Sequence, residues 1–182
     1  RVAVTNAVTV HSVNGPAVTI IRGQLDPLTG ASGTNAVRCV YLSSGAKLVG
    51  FTVSGGANVF DPYNVRAVCG GGIFCVDATV SDCIVEGNDS WYGGGGIWYQ
   101  SVATVVDHCI IRSNKSNLGA GVYMSAAGGL LKNCVVVNNA GGDGGGVRSE
   151  GGLIDNCTIA GNEGDIGGGL YAFSPGGTVT VV

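Results

Sequence analysis

The chain has 182 residues, of which 34 are glycine and seven cysteine, and its formal net charge is −3. Only 9 residues are Lys or Arg and they form no cluster, which argues against nucleic acid as a partner. The glycines follow no Gly-X-Y period and Pro is only 4, which excludes collagen and a low-complexity chain, while 45% hydrophobic content is enough for a compact core. No apolar run is long enough to span a membrane as a helix, and no basic segment followed by an apolar one marks a leader, so a secreted protein would already have lost its signal.

The chain opens inside an alternating pattern at Val2 and Val4 and stops inside another at Val179 and Val181, as a piece of a longer protein or a chain whose ends pair elsewhere would. Val8-Thr9-Val10 and Val18-Thr19-Ile20-Ile21 read as strands about the turn Asn14-Gly15-Pro16. A polar excursion follows over 24–36. In the next coil Val40, Leu42, Leu48, Phe51 and Val53 are expected inward, with a turn at Ser43-Ser44-Gly45. Residues 54–69 make the longest excursion.

From Gly70 one phrase returns: glycines, an aliphatic, usually an aromatic, then Cys-x4-Asn. Gly70-Gly71-Gly72-Ile73-Phe74 leads to Cys83 and Asn88, and Gly93-Gly94-Gly95-Gly96-Ile97-Trp98 to Cys109 and Asn114. Gly119-Ala120-Gly121-Val122-Tyr123 leads to Cys134 and Asn139, Gly144-Gly145-Gly146-Val147-Arg148 to Cys157 and Asn162, and Gly167-Gly168-Gly169-Leu170-Tyr171 begins again. The cysteines are 26, 25 and 23 residues apart, a period that means a solenoid.

Val80, Val106, Leu131 and Ile154, three before each cysteine, and Val85, Ile111, Val136 and Ile159, two after, are apolar every time and therefore inward. Two residues separate the first of these from the cysteine, so the chain must bend there. Asp82, His108, Asn133 and Asn156 occupy the bend, and Asn and Asp tolerate left-handed backbone. A second corner is expected at Asn88, Asn114, Asn139 and Asn162. With β-branched residues in the apolar slots and glycine in nearly every turn, helix is disfavoured. The reading is an all-β parallel β-helix with three short strands per coil of about 25 residues, coils about 4.8 Å apart and a rod roughly 30 Å long. It treats 1–182 as one domain: less regular coils over 1–53, a loop over 54–69, and regular repeats over 70–182.

The phrase resembles right-handed parallel β-helix proteins, and over roughly residues 40–175 it is similar to the Gly-Gly-Ala-Ile and Phe-x-x-Asn repeats of polymorphic outer-membrane and related adhesin proteins, with Cys where those have Phe. The resemblance implies the right-handed fold and a family range that includes lyases, hydrolases, adhesins, tailspikes and filaments.

Several columns carry candidate chemistry. Cys83, Cys109, Cys134 and Cys157 read as an inert thiol ladder in the core, with a metal or redox column as the alternative; neither C-x-x-C pairs nor nearby His ligands support structural zinc. Cys39 and Cys69 flank the 54–69 excursion and are candidates for a disulfide that would contribute roughly 3–4 kcal/mol, while Cys75 is expected buried beside Ile73. Phe74, Trp98, Tyr123, Arg148 and Tyr171 alternate with the inward aliphatics and are expected outward, as a self-stacking ladder or as a platform for a sugar or another chain. Ser81, Asp107, Lys132 and Asp155 read as a surface charge ladder, since no local pattern matches the calcium-binding carboxylates of pectate lyases or the aspartates of galacturonases. Asn88-Asp89-Ser90 and Asn114-Lys115-Ser116 match the glycosylation sequon but are explained by the repeat.

The expected function is therefore that of a secreted or cell-surface structural or adhesive protein, without cofactor or metal and with no catalytic residue assigned, whose coils stack end to end into a filament. The alternative is a carbohydrate-active enzyme or glycan-binding module that uses Trp98 and its column. The expected partner is a second copy or, in the alternative, a polysaccharide. An ice-binding face is disfavoured because Thr52, Ile84, Ile110, Val135 and Thr158 are too mixed.

Overall fold

The computed structural model describes residues 1–61, 63–125, 128–174 and 178–182. Every named strand pairs in parallel with strands of the neighbouring coils, and the coils build four sheets. The first sheet stacks Val2–Val4, Val40–Leu42, Ile73–Cys75, Ile97–Gln100, Val122–Ser125, Val147–Ser149 and Leu170–Ala172. The second has seven strands from Thr9–His11 to Val179–Val181, and the third six from Ile20–Arg22 to Thr158–Ala160.

Register follows the repeat residue for residue. Ile97 pairs with Ile73 and Val122, Val106 with Val80 and Leu131, and Ile111 with Val85 and Val136. These side chains are inaccessible to solvent and share one core with Cys83, Cys109 and Cys134. Each coil alone leaves its apolar residues half covered; the coils above and below complete the burial.

The bend before each cysteine has the expected conformation, with φ of +54° at Asp82, +50° at His108, +53° at Asn133 and +48° at Asn156. The second corner lies one residue earlier than the asparagines, at Gly87, Ser113, Asn138 and Gly161, all with positive φ. Shifting the turn releases the asparagines themselves to point inward. Asn114 is fully buried: its Nδ2 donates to the Val85 carbonyl at 2.9 Å and to Asn139 Oδ1 at 3.0 Å. Its Oδ1 accepts from the backbone N and Nδ2 of Asn88, both at 3.0 Å. The same bonds recur from Asn139 to Asn162. A corner column is thus an internal amide ladder, which also closes Asn88 and Asn114 to glycan attachment in the folded chain.

The glycine runs serve this ladder. Gly94 has φ +63°, a Cβ on Gly95 would lie 2.1 Å from the Lys115 carbonyl oxygen, and one on Gly96 would lie 2.9 Å from Asn114 Nδ2. Three successive positions exclude a side chain for three separate reasons.

The coils that begin at Ile73, Ile97, Val122 and Val147 carry a fourth strand, not three. Asp89–Gly93, Lys115–Leu118, Ala140–Asp143 and Glu163–Ile166 form a fourth parallel sheet between the asparagine ladder and the next glycine run. Apolar alternation does not betray it, because the positions corresponding to buried Ser90 and Ser116 are Ser or Gly in every coil.

All seven cysteines are free. Cys39 and Cys69 are not bridged, and the register explains why. Cys39 is followed by Val40, the partner of Ile73, whereas Cys69 bridges to Gly93, four residues before Ile97. Cys39 therefore packs in the main core and Cys69 in a separate cluster outside it. Burial raises both thiols to a pKa of about 12 and pushes that of Cys75 up as well. Along the ladder, sulfur hydrogen bonds to Cys134, then burial, hold Cys109 and Cys157 well above the ordinary thiol range.

Candidate functional site

The aromatic column leaves the main core as expected but does not reach solvent. Phe74, Trp98 and Tyr123 are at most 4% exposed and form a second apolar cluster with Val68 and Cys69. This corrects the expectation that these three side chains face solvent, and with it the platform, one of the two readings of the column. The excursion before Gly70 folds back over them: its short helix, Val65–Val68, packs against the strand Asp89–Gly93. Tyr41 stacks on Phe74 at 5.4 Å and Phe74 on Trp98 at 4.5 Å. Arg148 continues the file, its guanidinium 5.3 Å from the Tyr123 ring centre and 5.2 Å from that of Tyr171, and it pairs with Asp143 at 3.0 Å. Arg148 and Tyr171 are half-buried.

The aromatics that do reach solvent come from a fault in the repeat. Asn88 precedes Gly94 by six residues, whereas Asn114, Asn139 and Asn162 precede Gly119, Gly144 and Gly167 by five. The extra residue is absorbed as a register shift between Ser90 and Gly93, and it holds Trp91 and Tyr92 on the surface at 41% and 39% exposure. Trp91 is immobilised on three sides. Its backbone N donates to Asn58 Oδ1 at 3.1 Å, its carbonyl accepts from Asn117 Nδ2 at 2.7 Å, and its ring meets Phe60 edge-on at 4.6 Å.

Beside Trp91, the outer face of the fourth sheet forms a groove of about 500 Å³, floored by Gly141 and Gly142 and lined by Asp89, Lys115, Asn117 and Asp165. The excursion over 24–36 supplies one wall: Ser32 donates to Asp89 Oδ1 from its backbone N at 2.9 Å and its Oγ at 2.6 Å. Lys115 takes part in no ion pair among the described residues. An aromatic face with convergent amide, ammonium and carboxylate groups offers what a sugar ring needs, a hydrophobic face to stack on and hydroxyl partners at its edge. On the other side of the same ridge Tyr92 borders a second depression of about 480 Å³, where Tyr123 Oη donates to Glu150 Oε1 at 2.5 Å.

The charge column is a surface network. Asp107 Oδ1 accepts from His108 Nδ1 at 2.7 Å and from Asn133 Nδ2 at 2.8 Å, and Lys132 Nζ lies 3.4 Å from Oδ2. Burial works against the charge, yet the Asn133 and Lys132 hydrogen bonds and the His108 side chain hold this carboxyl below its ordinary range. Among the described residues no group of three His, Cys, Asp or Glu converges as metal ligands would. Sequence reasoning did not single out Trp91, Tyr92, Lys115 or Asp165, although the six-residue spacing was a visible signal for the first two.

The architecture defines a class, the parallel β-solenoids. Residues 72–181 match the family model described as "Right handed beta helix region", more than half of the chain, and the chain belongs to that family. No curated protein and no solved structure matches it.

Proposed function

We propose that the chain is a binding module displayed outside the cell, which holds a saccharide chain in the groove of the fourth sheet with one ring stacked on Trp91. The single observation that carries this reading is a half-exposed indole set edge-on against Phe60, on a backbone held by Asn58 and Asn117, beside a polar groove. The floor supports it too: Gly142 carries no side chain, so a flat ring can approach the backbone there. Calorimetric titration against neutral and acidic polysaccharides tests it. Binding should weaken at least tenfold in Trp91→Ala with the melting temperature nearly unchanged, as loss of one stacking contact predicts. Equal affinity in Trp91→Ala, or no binding across the panel, would sink it.

A second reading, a polysaccharide-cleaving enzyme, is favoured by Asp89 and Asp165 lining that one groove, since glycoside hydrolysis uses paired carboxylates. Release of reducing ends that disappears in Asp165→Asn would support it over binding alone. Axial self-association belongs to the adhesive reading. The first and last strands of the three sheets that run from the first coil keep one ladder edge unpaired within the described chain, open to a further coil of the same or another molecule. Fibres in electron micrographs of the purified chain support it, and a monomer at high concentration rejects it.

A further inference from the structure

On the far side of Asn58 from the groove lies a separate depression of about 350 Å³, sharing no lining residue with it. Arg1, Arg38 and Arg66 all line this pocket and no acidic residue does, although the chain as a whole carries a net charge of −3. Tyr41 forms an aromatic wall.

Arg38 is the centre of the site and is only 8% exposed. Its Nε donates to the Gly70 carbonyl at 2.8 Å, and its Nη2 to the carbonyls of Cys69 at 2.7 Å and of Arg66. The guanidinium also lies 5.0 Å from the centre of the Phe74 ring. These contacts tie down one edge of the guanidinium and cap the last carbonyls of the helix Val65–Val68. Nη1 has no partner among the described residues, and it is not among the buried polar atoms left unsatisfied, so it reaches solvent. Burial, then the positive charge of Arg1, depress the Arg38 pKa to about 10. A structural plug for the helix end needs Nε and Nη2 alone. It does not call for further positive charge beside it, yet Arg1 lies near enough to depress the Arg38 pKa and Arg66 lines the same pocket, a charge that an anion would offset.

We propose that this pocket binds an oxyanion carried on a small ring, a carboxylate or sulfate held by Arg38 Nη1 between Arg1 and Arg66, with the ring against Tyr41. Charge-assisted hydrogen bonds from a guanidinium already fixed by the protein lose little entropy on binding. The site does not depend on the Trp91 groove.

The test is a nuclear magnetic resonance titration of the whole chain at low salt with galacturonate, inorganic sulfate and galactose. Galacturonate and sulfate should shift the Arg38 Nε–H resonance, and galactose should not. Because Arg38 also secures the helix, the variants are placed on its neighbours. Arg66→Gln should weaken galacturonate binding about tenfold and Arg1→Gln/Arg66→Gln should abolish it, while both keep the parent melting temperature. Trp91→Ala should leave this titration unchanged, which separates a failure of this site from a failure of the groove. Equal shifts with galactose and galacturonate, or unaltered galacturonate affinity in the double variant, would overturn the proposal.

Discussion

Asn114 and Trp98 are two buried side chains that the repeat places on opposite sides of one glycine run. Asn114, fully buried, satisfies the Val85 carbonyl and two donors of Asn88, so its truncation leaves several buried polar groups unpaired. Asn114→Ala should lower unfolding free energy by about 3 kcal/mol, and the same change at partly exposed Asn162 by about 1 kcal/mol, in chemical denaturation. Trp98→Ala should cost about 3–5 kcal/mol by opening a cavity between Phe74 and Tyr123, whereas Trp91→Ala should cost under about 1 kcal/mol. That contrast assigns stability to one indole and the proposed binding to the other. The thiols make a further residue-scale prediction. With Cys39 and Cys69 raised to about 12 and only Cys157 half-buried, the folded chain should yield at most one thiol to an aromatic disulfide reagent at pH 8; in denaturant it should yield seven.

Among the elements, the excursions decide what the regular strands expose. The loop after Gln24 is held by Asp26, whose carboxylate accepts from Leu28 N at 2.8 Å and Asn35 N at 2.9 Å. The Asn35 bond, then that from Leu28, lower its pKa below the ordinary 3.8. A depressed native value means that this stabilisation is complete above pH 3.8 and lost as pH falls through the lower native value. Protection of the Leu28 and Asn35 amides from exchange should therefore drop below pH 3.8, while that of Ile111 in the third sheet persists. Unchanged protection at Leu28 would reject the role given to Asp26. Since this loop presents Ser32 to Asp89, the groove wall should loosen in the same range.

Across the whole molecule, the strands of each regular coil pair only with those of the coils before and after it, so stability over the repeats is close to a sum over rungs. Deleting residues 109–133 joins His108 to Cys134 with every inward column, the left-handed corner and the asparagine ladder still in step. The shortened chain should keep its β-sheet circular dichroism and melt cooperatively at a lower temperature. Deletion of a block out of phase, such as 109–121, should unfold it, because the ladder then meets apolar partners.

The inward columns, the bend at Asp82, His108, Asn133 and Asn156, and the parallel stacking were legible in residue order alone. Periodicity tells each side chain which side of its own strand it occupies, and glycine, Asn and Asp mark where the backbone must turn left-handed. The fourth sheet was hidden because its inward residues, such as Ser90 and Gly141, carry no apolar signal. The asparagines could be placed at a corner but not inside it, since a shift of one residue in the turn reverses their direction. Whether Trp98 faced water depended on the helix Val65–Val68 and Cys69, which belong to no repeat and supply Val68 and Cys69 to its cluster. Sequence by itself thus determined the solenoid and its core; tertiary structure alone decided which outward side chains remain free, because burial there comes from segments with no period to read.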